Sequence, residues 1–407
     1  MTPELPGASD LARTPDARPA MPVLILLGMV SILVTVVFAR LAYGLVLPSM
    51  RANLGLSYAQ AANLGTITAL GYISVLLYAG VFAGRYGARR AILLGLVFAF
   101  IGFTGMGLSS HYGLQMLFMV SLGFGTAFTF TPLISLLGGW YPERRGTVIG
   151  FANSGVGIGM LVSGALVPAL TENNPIDGWR HVWLVFAASA ALTGLLLAAL
   201  LRNPPRVSHA GSLKQGLLTV YRSPHVLIIG LIYGVVGLTY IVQTLFMYSF
   251  ALDAQVPPIT AGRLVAMMGL ISVFAGPGWG LAADKIGHAN ALVICMFLAM
   301  VANLLPVLWP HTPAFVVHYL LIGLSISGLF TSILAASTTT VPPQLAAMAV
   351  SFVTVFFALG QLIGPAVAGV LIEWQHDFRL SFALCSALLL LGIVLSHRSR
   401  RFAIKAN

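Results

Sequence analysis

The chain has 407 residues, of which 58% are hydrophobic and only 8% are charged. Soluble domains average about 45–50% apolar and about 25% charged residues, so a soluble globular fold is excluded and lipid is the expected solvent. A formal net charge of +11 suits nucleic-acid binding, but the basic residues follow the pattern of membrane topology. No nucleic-acid partner is therefore expected.

Apolar stretches of about 20 residues, long enough to cross a bilayer as helices, recur along the chain. The first six cover 22–47, 60–83, 91–109, 113–138, 146–170 and 181–201. Six more cover 224–250, 259–283, 288–309, 313–337, 345–372 and 379–397. We therefore predict an all-α integral membrane protein of twelve transmembrane helices, with one six-helix bundle at 22–201 and a second at 224–397.

Three segments lie outside the predicted bundles. Residues 1–21 are polar and rich in proline, which predicts a disordered cytoplasmic tail and not a signal peptide. Residues 202–223 carry four basic residues and no acidic one, so we predict a cytoplasmic linker that rests on an anionic leaflet. Residues 398–407 form a second, basic tail.

The basic residues are concentrated on one side of this topology. Sixteen of the 21 Lys and Arg residues fall in the two tails and in the loops on the same side, whereas Arg51, Arg180, Arg263 and Arg379 fall on the opposite side. This positive-inside bias predicts that both termini are cytoplasmic. The expected location is a bacterial inner membrane, crossed many times.

Two turns between predicted helices repeat one pattern 200 residues apart. The first runs from Gly80 to Arg90 and the second from Gly280 to His288. Closely spaced glycines combined with basic residues predict a tight turn after a membrane helix. The recurrence at half the chain length indicates that the second bundle duplicates the first. The predicted turn residues are Gly80, Arg85, Gly87 and Arg89, and Gly280, Asp284, Lys285 and Gly287.

Over essentially the whole folded chain, these residues resemble the major facilitator superfamily. The two turns look like its signature between helices 2 and 3 and its weaker copy between helices 8 and 9. Residues 140–150 are similar to its monocarboxylate and oxalate–formate branches, and residues 40–48 resemble uncharacterised bacterial members. The resemblance implies a monomeric secondary transporter that works by alternating access, with a gating role for the turn residues.

Two positions depart from the patterns of this superfamily. Gly84 stands where the signature usually has an Asp that latches the cytoplasmic side, so only Asp284 remains for that role. Gly276 stands where the monocarboxylate branch carries an Arg in helix 8. The substrate chemistry of that branch therefore does not carry over.

Arg40 is the one Lys or Arg placed inside a predicted span and away from its loops; Arg263 and Arg379 lie near the far-side ends of their spans. A charged side chain at the centre of a bilayer costs at least about 2.5–3.5 kcal/mol on insertion scales, so it needs a partner. No Asp or Glu is placed deep in a span. Because a guanidinium matches a carboxylate, an anionic substrate is favoured as the partner. The alternative is a structural role, in which Arg40 bonds backbone carbonyls or extends to the interface.

The repeat offset places Tyr240 at the position that corresponds to Arg40. Gln243 lies three residues after Tyr240 on the same helix face, so both are predicted to hydrogen-bond one ligand. Tyr43 lies one turn from Arg40 and is predicted to share its face. The alternative for all three is hydrogen bonding between helices.

Three further polar residues are candidates for the substrate site. Asn153 and Gln361 lie on helices 5 and 11, which line the cavity in the superfamily. His318 is placed within helix 10 and is a candidate for proton coupling, because an imidazole titrates near neutral pH. The alternative for each is a structural role.

Glycines spaced four residues apart predict close helix contacts, along which we expect the two halves to pack or slide. These pairs are Gly80/Gly84, Gly155/Gly159, Gly276/Gly280 and Gly360/Gly364.

The function predicted from these observations is secondary transport of a small organic anion, for example a monocarboxylate, by proton coupling or by anion exchange. Two alternatives are efflux of neutral or amphipathic drugs and a non-transporting membrane sensor. The spans carry no catalytic cluster of Asp, His or Ser, so an enzyme is not expected. Neither a cofactor nor a metal is expected; the expected partners are the substrate, protons and the lipid bilayer.

Overall fold

The structure, a computed structural model, describes residues 19–141, 144–204, 220–338, 341 and 346–403. Within these ranges the regular structure is helical throughout, which confirms the predicted fold class. The predicted tail at 1–21 and the predicted linker at 202–223 fall mostly outside the described residues, as does the end of the tail at 398–407. These segment assignments stay predictions.

The first half of the chain forms six helices, α1–α6. The first of them, α1, has three parts, which are α-helical Met21–Ile32, π-helical Leu33–Leu41 and α-helical Tyr43–Leu54. The others are α2 Tyr58–Tyr86, α3 Ala88–Leu108, α4 Tyr112–Trp140, α5 Arg145–Asn173 and α6 Gly178–Leu200.

The second half forms six further helices, α7–α12. They are α7 Pro224–Asp253, α8 Pro258–Ile286, α9 His288–Leu308, α10 Thr312–Thr338, α11 Ala346–Gln375 and α12 Arg379–Ala403.

The lengths and hydropathies of these helices fit a membrane. Within the described residues, 11 helices are long and apolar enough to cross it. The twelfth, α2, is bent by 46° between its parts Tyr58–Leu76 and Tyr78–Tyr86, and it meets the same criteria when both parts are counted as one span. The chain is therefore a multi-pass membrane protein.

The two predicted tight turns are present, and glycine is what permits them. A single residue, Gly87, separates α2 from α3, and Gly287 separates α8 from α9 in the same way. Their φ angles are 95° and 85°, a region in which a Cβ atom is strained and glycine is not. The two turns, 200 residues apart, thus repeat both the sequence pattern and the backbone conformation.

The most extensive contacts between the halves are made by three helix pairs, α5 with α8, α2 with α11, and the last part of α1 with α7. We call the side where α1 begins and α12 ends the terminal side, and the opposite side the far side. Towards the far side the packing is tight. A Cβ atom built on Gly164 of α5 would lie 2.6 Å from the carbonyl oxygen of Gly262 on α8, and one on Gly369 of α11 would overlap Ala62 of α2.

Towards the terminal side the same helices lack such tight glycine contacts. Cβ atoms built on Gly80, Gly84, Gly150 and Gly278 of α2, α5 and α8 would meet no atom within 4 Å. The close packing of the halves at glycines is therefore found at the far side, and these four glycines at the terminal side have no close neighbour.

This arrangement corrects the expectation for the glycine pairs. Gly155 and Gly159 of α5 pack on Met29 and Val37 of α1, within the first half. The pair Gly360 and Gly364 packs on α7, within the second half. The expectation that these pairs lie between the halves was wrong. One face of α5 and of α11 packs on a helix of the same half and carries these glycine pairs, and a different face packs on the opposite half.

Candidate functional site

The candidate site begins at the π-helical part of α1. Over Leu33–Leu41 the backbone is wound more widely than an α-helix, and the Ala42 amide donates to the Val37 carbonyl five residues back, at 2.8 Å. π-Helical segments are rare and are often found at functional sites. Arg40 lies in the last turn of this segment, so the irregular backbone sets the direction of its side chain.

Arg40 bridges the two halves through neutral partners. Its Nη2 donates a hydrogen bond to Oε1 of Gln361 on α11. Its guanidinium carbon lies 4.9 Å from the centre of the Tyr72 ring on α2, a cation–π distance. The structure thus brings together two predicted site residues, Arg40 and Gln361, from opposite halves.

The charge of Arg40 has no acidic partner in the described part of the chain. The salt bridges found there, Arg180 with Asp177 and Arg379 with Asp377, both lie near the far side. Glu172 and Glu373 also lie there, at the ends of α5 and α11. Arg40 is therefore an uncompensated cation near the middle of its span, an arrangement that is costly in lipid and marks a functional site by default.

An aromatic wall on the second half lies beside Gln361. The rings of Tyr240 and Phe330 meet edge to face at 5.5 Å, those of Tyr233 and Phe357 stack at 4.5 Å, and Phe330 lies 5.4 Å from Phe357. Gln361 follows Phe357 by four residues, so both share one face of α11. The described hydrogen bonds leave the Tyr240 hydroxyl unused.

A small cavity lies between the halves at Arg40. Its volume of about 20 Å³ is room for roughly one water molecule. Residues of α1, α2 and α7 line it, namely Ala39, Arg40, Tyr43, Gly65, Thr68, Ala69, Ile241, Thr244 and Leu245. The site is thus nearly closed on its far side, where α1 and α7 pack together.

Tyr43 and Asn153 are placed differently from Gln361. Tyr43 lines the cavity with Arg40, but its hydroxyl donates to the Ala61 carbonyl at 2.9 Å, so the group is already used within the first half. Asn153 is exposed on α5, one turn before Gly157, and no described contact joins it to Arg40. Their roles in substrate binding stay predictions.

Gln243 and His318 form a buried pair one turn beyond the level of Arg40. His318 Nδ1 lies 2.7 Å from the Ala302 carbonyl oxygen, which can only accept, so Nδ1 carries the proton. Nε2 of the neutral ring then accepts from the Gln243 amide nitrogen, 3.5 Å away. This leaves Gln243 Oε1 and the nearby Tyr319 hydroxyl buried with no hydrogen-bond partner in the described structure. Gln243 thus contacts His318 in this structure, and the predicted hydrogen bonding of one ligand by Tyr240 and Gln243 stays a prediction.

The turn residues lie at the terminal side, far from Arg40. The Arg89 amide donates to Asn203 Oδ1 at 2.8 Å and its guanidinium donates to the Ala198 carbonyl, which ties the first turn to the end of α6. Arg85 lies over the Tyr86 ring and Lys285 is exposed. The surroundings of Gly280 and the side chain of Asp284 are outside the described part. The gating role of both turns stays a prediction.

Three residues of this site were missed by reasoning from the sequence. They are Tyr233, Phe330 and Phe357, which form the aromatic wall with Tyr240. Aromatic residues are common in membrane helices, so their presence in a span gives no signal of a site. Tyr240 was identified because it lies 200 residues after Arg40, whose charge marks a site, at the equivalent position of the repeat.

The two six-helix halves pack tightly on the far side, and the charged side chain of Arg40 lies between them. This is the arrangement of a secondary transporter with the major facilitator fold. Sequence comparison gives the family. The pattern described as "Uncharacterised MFS-type transporter YbfB" matches residues 32–397, and the chain belongs to this family of the major facilitator superfamily.

The relatives with known names are also transporters, and their names specify different transported compounds. Human monocarboxylate transporter 6 is 26% identical over 348 residues, which span 77% of this chain and 68% of that protein. The fujikurins efflux protein of Gibberella fujikuroi is 26% identical over 273 residues, spanning 65% of this chain and 57% of that protein. A solved bacterial homologue of the human lysosomal transporter Spinster, inward-facing and unoccupied, has a TM-score of 0.79 at 18% identity, covering 96% of this chain and 99% of that one. This last likeness concerns the fold alone.

Proposed function

We propose that this transporter moves a small organic anion, such as a monocarboxylate, across a bacterial inner membrane by alternating access. The terminal side would be cytoplasmic, as the positive-inside bias predicts, and the described state would be inward-open. The observation that carries the proposal is the Arg40 guanidinium, which lies between the halves and whose partners among the described residues are the neutral side chains of Gln361 and Tyr72.

The chemistry of the site suits a carboxylate with a small apolar body. A guanidinium binds a carboxylate with two parallel hydrogen bonds, and such a pair is stronger than a bond to a neutral amide. The substrate would therefore displace Gln361 from Arg40. The Tyr240 hydroxyl is available as a further donor, and the wall of Phe330 and Phe357 would cover the apolar part of the substrate.

Three routes to coupling fit the proposed site. The described spans hold no carboxylate near Arg40, so a proton would enter with the substrate or through His318, or one anion would exchange for another. Monocarboxylate transporter 6 is a superfamily relative, but Gly276 stands where its branch carries an Arg, so the proposal of an anionic substrate rests on Arg40 and not on that similarity.

A panel of ligands tested by thermal shift distinguishes this proposal from its main alternative. A ligand that binds only the folded state, at 100 times its Kd, stabilises that state by about 2.7 kcal/mol, which is a measurable rise in Tm. We expect small monocarboxylates to stabilise the wild type and to have no effect on Arg40→Gln. Stabilisation by neutral or cationic lipophiles alone would contradict the proposal.

Efflux of neutral or amphipathic compounds is the second candidate. It is favoured by one observation, the aromatic wall of Tyr233, Tyr240, Phe330 and Phe357, and by the similarity to the fujikurins efflux protein. In that case Arg40 would be a structural bridge to Gln361, and Arg40→Gln would leave ligand binding unchanged.

A further inference from the structure

Two glutamates join the halves at the far side by the same contact, made twice. Glu373, near the end of α11, accepts a hydrogen bond at Oε2 from the backbone amide of Tyr58, the first residue of α2, at 2.8 Å. Glu172, near the end of α5, accepts at Oε1 from the backbone amide of Ile259, the second residue of α8, at 3.3 Å. We call these two contacts the rim bonds.

The rim bonds are related by the internal repeat. Glu172 and Glu373 are 201 residues apart, and so are Tyr58 and Ile259. Each half therefore supplies one carboxylate and one helix N-terminus, and each carboxylate binds the N-terminus that belongs to the other half. A repeated contact of this kind follows from the duplicated fold and is not an accident of one loop.

Each rim bond lies one turn beyond a tight helix crossing. Pro168, four residues before Glu172, packs on Gly262 of α8. Gly369, four residues before Glu373, packs on Ala62 of α2. These crossings are the steric seal of the far side, so the rim bonds sit on its outer edge, where the two halves must first separate if that side opens.

The electrostatics of the helix ends make the rim bonds specific to the closed far side. A carboxylate at the C-terminal end of its own helix is unfavourable, because the helix dipole is negative there. The N-terminus of a facing helix is positive and presents unpaired amides. Glu172 and Glu373 gain that favourable partner only while the halves are together. When the far side opens, each glutamate loses the facing N-terminus and stays in water beside the negative C-terminal end of its own helix.

We propose that Glu172 and Glu373 act as a symmetric two-point clamp that holds the far side closed and so sets the balance between the two states of the transporter. The Glu373 contact is the stronger point. It is shorter, and its partner Tyr58 also packs edge to face on Phe378 of the other half, with ring centres 5.2 Å apart.

The clamp is tested by measuring the distance across the far side without any substrate. Spin labels are placed at Ala52 at the end of α1 and Thr312 at the start of α10, both exposed, after replacement of the buried Cys295 and Cys385 by Ala. Wild-type protein is expected to show mainly a short distance. Glu172→Gln and Glu373→Gln are each expected to raise the long-distance population about twofold to fivefold, with a larger effect at Glu373, and the double variant to multiply the two effects.

Two neighbouring carboxylates supply the matched control. Asp177 and Asp377 follow the glutamates by five and four residues, but each is paired within its own half, with Arg180 and Arg379. The variant Asp177→Asn/Asp377→Asn removes the same surface charge without touching a rim bond, and it should leave the distances unchanged. An equal shift in this control would overturn the clamp, as would wild-type distances in Glu172→Ala/Glu373→Ala. Because no ligand is used, either result is independent of the proposed anion specificity.

Discussion

Arg40 on α1 donates a hydrogen bond to Gln361 on α11, so a charged side chain of one half is bound by a neutral amide of the other. The contact joins the halves close to the middle of the membrane. A neutral amide satisfies the donor but does not compensate the charge. The same contact therefore holds Arg40 in place and leaves it able to bind an anion.

Supplying Arg40 with a fixed carboxylate should block anion binding. In Gln361→Glu the new side chain would pair with Arg40 within the protein and compete with the substrate. We expect uptake of the substrate anion into proteoliposomes to fall at least about tenfold, since a hydrogen bond to a charged group contributes about 1.5–3 kcal/mol. Gln361→Leu, which removes the amide and adds no charge, is the control and should lose much less. Equal losses in the two variants would show that Gln361 acts only through packing.

How much of this site was foreseeable depends on the range of the interactions. The spans, the duplication and the turns at Gly87 and Gly287 are written in local patterns, and the structure has them. The bond between Arg40 and Gln361 joins residues 321 positions apart, and no local pattern specifies which faces of α1 and α11 meet. Gln361 was identified only through the helices that line the cavity in the superfamily.

The π-helical part of α1 could not be foreseen either. Apart from Arg40, Leu33–Leu41 has the apolar and β-branched residues of an ordinary membrane helix. The segment packs against α4 and α5, and such tertiary contacts leave no local pattern in the sequence. The glycine pairs failed for the same reason: their spacing indicated close packing, but it did not specify which neighbour Gly155 or Gly360 would meet.

The hydroxyl of Tyr240 is expected to contribute directly to binding. Tyr240→Phe keeps the ring that packs on Phe330 and removes only the donor. We expect a loss of affinity of about tenfold or more for the anion, measured by ligand titration, because the donor would face a charged group. Tyr43→Phe is the matched control. Its hydroxyl is engaged by the Ala61 carbonyl, so that change should lower the Tm and leave the affinity within about threefold. The reverse pattern would place the anion beside Tyr43.

His318 is expected to matter for proton-driven accumulation and not for exchange. In His318→Gln the buried pair with Gln243 loses its titratable member. We expect accumulation driven by a pH gradient to be lost, while counterflow of the same anion persists. Tyr319→Phe changes the neighbouring buried side chain without affecting a titratable imidazole, and it should retain both activities. Accumulation that survives in His318→Gln would assign proton entry to the substrate itself.

The far-side seal should fail when its glycines are enlarged. In Gly164→Val the new side chain would collide with the backbone of Gly262 and Ala266 on α8. Overpacking of a tight contact costs about 1–3 kcal/mol, so the closed far side should lose population by about fivefold or more. The same distance measurement across the far side reports this shift. Gly150→Ala lies on the same helix in open space and should change nothing; a similar shift there would show that α5 responds to helix propensity and not to contact.

Counterflow in proteoliposomes measures directly whether Arg40 binds the transported anion. The substrate is the anion that stabilises the wild type, and the variants are Arg40→Gln and Arg51→Gln. Arg51 is the other arginine of α1 and lies over the Tyr58 ring at the far side. We expect Arg40→Gln to lose at least about tenfold in counterflow, while Arg51→Gln stays close to wild type. Counterflow in Arg40→Gln that equals the wild-type rate would contradict anion binding by Arg40.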